Sequence, residues 1–186
     1  MPRRIIIAAV RAAMLSICAA AFAADAANLW LDVPFVPQQK DGCGAASISM
    51  VMQYWEQQAG KSASPAAQPS QIFRSLYSQS AHGIFASAMT DYLHANGFRA
   101  FAFTGNGIDL ERELHYGRPM IVALKPDTGP ALHYVVVVGL DGQQQLVIVN
   151  DPAQRKLLKE DQSEFERAWK AAGNWTLLAV PETSEN

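Results

Sequence analysis

The most constraining feature is a cysteine where an extended, proline-marked segment runs into an apolar helix. The stretch is Asp32-Val33-Pro34-Phe35-Val36-Pro37-Gln38-Gln39-Lys40-Asp41-Gly42-Cys43-Gly44-Ala45-Ala46, continuing to Trp55. Pro34 and Pro37 fix their own φ and push Val33 and Val36 toward β or polyproline geometry. Gln39 to Gly42 reads as a turn, since Asp and Gly are turn residues. From Cys43 onward Ala45, Ile48, Met52 and Trp55 share one helical face. A cysteine there meets the positive end of the helix dipole, which favours thiolate over thiol. Gln38, on the incoming loop, can bring an amide N–H beside that sulfur; the adjacent Gln39 is the alternative.

A thiolate of this kind calls for a base, and the second half of the chain offers one. Pro130-Ala131-Leu132 leads into His133, which opens the β-branched run Tyr134 to Val138 and Gly139. Asp141-Gly142-Gln143-Gln144 then turns the chain into Leu146 to Val149, followed by Asn150-Asp151-Pro152. Asp-Gly between apolar runs is a hairpin signal. Such a hairpin returns Asp151 to the side of His133, giving the candidate set Cys43, His133 and Asp151.

The chain has 186 residues, a length suited to one domain, read here as residues 28–182. Residues 1–24 differ from the rest. Arg3-Arg4, the apolar run from Ile5, and Ala21-Phe22-Ala23 have the basic, apolar and small-residue order of a secretory signal peptide. Ile17 before Cys18 argues against a lipoprotein signal. Cys43 is then the one thiol of an exported chain, periplasmic or extracellular, and an unpaired thiol in an oxidising compartment reads as reactive. Without Arg3, Arg4 and Arg11, 12 of the 15 basic residues remain against 17 acidic ones, a net charge of −5 (12 − 17). No basic stripe offers a footprint for nucleic acid. No later run reaches the roughly 18 apolar residues of a membrane span, so no membrane contact is expected after signal cleavage.

In order, the pattern predicts a surface loop over 57–70 and a helix over 72–77 started by Ser70. A helix over 85–96 stopped at Asn96-Gly97, a strand over 98–103 and a helix over 108–115 follow. Strands over 120–124, 133–139 and 146–149 come next. An edge strand over 155–158, a helix over 163–171 and a strand over 175–180 complete the chain. Helices first and antiparallel strands later make an α+β layout. His82, His94 and His115 have no ligand spacing. Cys43, His133 and Asp151 could bind zinc by ligand type, but without a paired motif a cofactor is not expected.

Gln38, the Asp41-Gly42-Cys43-Gly44-Ala45-Ala46 run, Gly117-Arg118-Pro119, His133 and Asp151-Pro152-Ala153 together resemble the bacteriocin-processing, double-glycine cysteine peptidases. The likeness is strongest to their stand-alone exported relatives. Papain is a poorer match: its histidine follows the cysteine by about 130–150 residues, against 90 here (133 − 43). The resemblance implies a papain-like fold and hydrolysis of peptide bonds, often after two small residues such as Gly-Gly. It assigns Cys43 as nucleophile, His133 as base, Asp151 as its orienter and Gln38 as oxyanion donor, with a peptide or protein as substrate. Two other readings use the same residues: acyl transfer to an amine, as in a transglutaminase-like enzyme, and a catalytically silent peptide-binding module.

Overall fold

The protein is described from a computed structural model covering residues 28–126 and 131–182. The proposed signal peptide, residues 1–24, and Pro130 lie outside the described residues. The order of elements is β1 (Asn28–Trp30), α1 (Cys43–Gln58), a 3-10 turn (Pro65–Ala67), α2 (Pro69–Leu76), α3 (Ala86–Ala95), β2 (Phe98–Thr104), α4 (Gly107–His115), β3 (Met120–Leu124), β4 (His133–Asp141), β5 (Leu146–Asn150), β6 (Leu158–Asp161), α5 (Gln162–Ala171) and β7 (Trp175–Pro181).

Every strand pairing is antiparallel, and the sheet runs β2-β7-β3-β4-β5-β6, with β1 also paired to β4. Successive side chains of β4 enter opposite cores. Tyr134, Val136 and Val138 pack under α1, α2 and α3, while Val135 and Val137 join Leu110, Leu114, Phe165 and Trp169 of α4 and α5. Helices on both faces explain why His133–Gly139 reads as continuous apolar sequence rather than as an alternating pattern.

α1 is the central helix, buried from Gly44 through Met52 and again at Tyr54. Helix propensity cannot account for it, because Gly44, Ser47, Ser49 and Val51 are mediocre helix formers. Burial of Ile48, Met50 and Met52, all within 1% of full, outweighs this at about 1.5–3 kcal/mol each. The two buried serines are satisfied by distant carbonyls: Ser49 Oγ donates to Ala67 O at 2.6 Å and Ser47 Oγ to Tyr134 O at 3.3 Å.

Three sequence expectations need correction. The edge strand lies at Leu158–Asp161, not 155–158, because residues 151–157 are spent on a turn. In that turn Asp151 N–H bonds Arg155 O and Leu157 takes φ +53°. α2 starts at Pro69, not Ile72, since proline suits the first helical position; the preceding loop also contains the 3-10 turn. β1 went unread. Its Trp30 pairs with Gly139, where a Cβ would stand 2.5 Å from Leu29 O, so only glycine admits the strand.

Candidate active site

Local backbone geometry sets the cysteine. Asp41 adopts φ +58°, a left-handed conformation that Asp tolerates. Gly42 N–H closes the turn on Gln39 O at 2.9 Å, and a Cβ on Gly42 would meet that same oxygen at 2.9 Å. Cys43 follows as the first residue of α1. Gly42 offers no side-chain oxygen to the first turn, and the Gly44 N–H favours the thiolate form of Cys43.

The strand edge that receives this helix is open because β5 pairs with β4 only from Val136 onward. Both backbone groups of Tyr134 turn to α1: its N–H favours the thiolate form of Cys43, and its carbonyl accepts from Ser47, one helical turn further on. Positions i and i+4 share a face, so one residue of β4 fixes both turns. This docking sets Cys43 next to His133.

His133 bridges the other two members of the predicted set. Its Nε2 lies 2.8 Å from Asp151 Oδ1, leaving Nδ1 for its hydrogen bond with Cys43. Burial pushes the Cys43 thiol up, but the bond to His133, the Tyr134 N–H and the His133 charge together hold it below its ordinary value. Burial opposes protonation of His133, yet Asp151 and Cys43 raise it to about 9. Asp151 is only 3% exposed. Burial raises its carboxyl, and the His133 bond, the Ala153 N–H and the Gln154 amide bring it below the usual range. Each group thus favours the charged form of the other, the Cys43 thiolate and the His133 imidazolium. Burial and the nearby Cys43 move the Tyr134 phenol up to about 12, so it remains neutral.

Gln38 sits on the arm leading to the turn. Its backbone N–H donates to Pro152 O at 2.9 Å, directly after Asp151. Its Oε1 is buried without a partner among the described residues, and its side chain lines a cavity of about 130 Å³ with Gly42, Ala45, Ala46 and Ser70. Gln39 is exposed, so of the two neighbours Gln38 is the inward one.

Asn150, fully buried, was missed in the sequence. It donates to Val33 O at 3.1 Å and accepts from Leu157 N–H at 3.0 Å, tying the arm to the Asp151 turn. Lys156 adds a 2.6 Å ion pair with Asp32. Ser47 was missed as well, although its place four residues after Cys43 was a usable signal. His82, His94 and His115 are exposed. A cavity of about 570 Å³ lies under α4 and α5 among Leu29, Leu110, Leu140 and Phe165. None of Gln38, Cys43, His133 and Asp151 lines it.

The sequence profile of the Peptidase C39 like family matches residues 30–177. The chain belongs to that family. Membership supports cysteine peptidase chemistry in general. No curated protein matches the sequence. Among solved structures, a C39-like peptidase from Bacillus anthracis is 20% identical with a TM-score of 0.61, covering 85% of this chain and 100% of that one. The peptidase domain of Streptococcus ComA, a bi-functional ABC transporter, is 20% identical with a TM-score of 0.60, covering 79% and 97%. A double-glycine-motif protease from an AMS/PCAT transporter, in complex with its leader peptide, is 22% identical with a TM-score of 0.61, covering 82% and 94%. These likenesses establish a C39 papain-like fold. Among the described residues of this C39 chain, no helix is long and apolar enough to cross a membrane.

Proposed function

We propose that this protein is a cysteine peptidase that hydrolyses peptide bonds with Cys43 as nucleophile, His133 as acid and base, and Asp151 as orienter. The observation that carries the reading is His133 held between the Cys43 sulfur and the Asp151 carboxylate. The Cys43 thiolate attacks the scissile carbonyl carbon, whose oxygen takes up the negative charge. The His133 imidazolium passes its proton to the departing amine, leaving a thioester. A water then gives its proton to His133 and attacks the thioester, releasing the new carboxyl terminus and restoring the thiolate. Asp151 keeps the imidazole in one tautomer and orientation throughout.

Gln38 is the proposed oxyanion donor, together with a backbone N–H at the start of α1. Gln38→Ala is expected to lower kcat about 10²–10³-fold with a smaller change in KM, because the donor acts on charge that develops only in the transition state. Steady-state kinetics on a cleaved peptide would check this. The resemblance to double-glycine peptidases favours cleavage after small residues such as Gly-Gly. The basic, apolar and small-residue order of residues 1–24 favours export to the periplasm or the extracellular space.

The test of the pair is the alkylation rate of Cys43 against pH. In the wild type the rate should rise well below the ordinary thiol value of about 8.5. In His133→Ala two lowering influences disappear while burial remains, so the inflection should climb to that value or beyond it. Coincident profiles near the ordinary value in both proteins would refute the reading.

A further inference from the structure

We propose that Gln154 is a positioning residue of this site, holding the Asp151 carboxylate in the plane from which it serves His133. The inference rests on the catalytic reading above and adds a residue to it. The two carboxylate oxygens have separate partners. Oδ1 accepts from His133 Nε2 at 2.8 Å and from the Ala153 backbone N–H at 2.8 Å. Oδ2 accepts from Gln154 Nε2 at 2.7 Å.

A carboxylate gripped at one oxygen can still swing, because the Asp χ2 torsion is broad. The bond at Oδ2 removes that freedom. Local backbone puts the amide within reach: Gln154 N–H donates to Asp151 O at 3.0 Å, closing a turn that folds residue 154 back over residue 151. Gln154 is exposed while Asp151 is 3% exposed, so the amide also stands between the carboxylate and water. The ionisable groups that act on Asp151 and His133 are Cys43 from α1 and half-buried Glu160 from β6. Glu160 brings a second negative charge near Asp151. An amide donor at Oδ2 favours the ionised carboxylate without adding charge of its own.

The consequence for His133 has a definite sign. Once Oδ2 is released, the carboxylate rotates and hydrates, its bond to His133 weakens, and the imidazolium gives up its proton at lower pH. The experiment is alkylation of Cys43 by iodoacetamide, a neutral reagent that requires no knowledge of the peptide substrate. The rate is followed across pH in the wild type, Gln154→Ala, Gln154→Met and Asp151→Asn.

The wild-type rate should rise twice, first as the thiolate–imidazolium pair forms and again as the imidazolium deprotonates. In Gln154→Ala and Gln154→Met alike the upper rise should move down by about 1 pH unit, a tenfold change in proton affinity. Asp151→Asn should move it further in the same direction. Gln154 variants that superimpose on the wild type overturn the proposal. So does a wild-type profile for Gln154→Met alone, which would make bulk rather than the amide the operative feature. A single wild-type rise at the ordinary thiol value overturns the catalytic reading itself, and this inference with it. Position 154 is exposed, so the variants are expected to fold, and matched thermal midpoints would establish that they do.

Discussion

Cys43→Ala is expected to remove peptide cleavage almost entirely, by roughly 10⁶-fold in kcat, the scale of loss when a covalent nucleophile is deleted. The fold should survive. Cys43 is half-buried at the first position of α1, its side chain is small, and the adjoining turn is closed by Gly42 and Gln39 rather than by the sulfur. Mass spectrometry of a peptide mixture containing Gly-Gly sequences, incubated with wild type and variant, would read the result. Cleavage retained by the variant would sink the cysteine peptidase reading. Binding without turnover by the wild type would favour the silent peptide-binding module instead.

Trp169→Ala should have the largest effect on stability. Trp169 is 2% exposed, packs against Phe165 beneath α5, and donates from Nε1 to Trp175 O at 3.2 Å. Its ring also lies where a Cβ on Gly105 would reach within 2.8 Å, so the Gly105 backbone forms one wall of its site. Truncations of this kind cost about 3–5 kcal/mol. Against a total of about 5–15 kcal/mol for a domain, that is a large fraction. The denaturation midpoint should fall accordingly, and Trp169→Phe should recover most of the loss. An unchanged midpoint in Trp169→Ala would contradict the packing described here.

Residues whose chemistry is local were readable in advance. Cys43 at a helix start, His133 opening a strand and Asp151 just past a hairpin each follow from short-range signals, and the hairpin brings the last two together at 2.8 Å. Most helix and strand boundaries fall within a residue or two of the pattern. Asn96-Gly97 ends α3 as expected, with Gly97 at φ +80°. What escaped is non-local. β1 exists because Gly139 leaves room for it, a fact of close approach rather than of period. Asn150 looks like a turn residue and acts as a buried staple between segments more than a hundred residues apart. The 155–158 run has some strand character, but its backbone is claimed by the turn that presents Asp151.

The arm carrying Gln38 ties together two segments far apart in the sequence, the start of α1 and the turn after β5. By covalent connection it belongs with the helix of Cys43; by hydrogen bonding it belongs with the loop of Asp151. Asp32, Val33 and Gln38 are each fastened to residues 150–156, while Gly42 hands the chain directly to Cys43. The arm is therefore a strap sewn from the turn after β5 to the start of α1. Whatever widens the gap between sulfur and imidazole also pulls on the segment that carries Gln38. The placing of Cys43 and the placing of Gln38 are set by a single mechanical element.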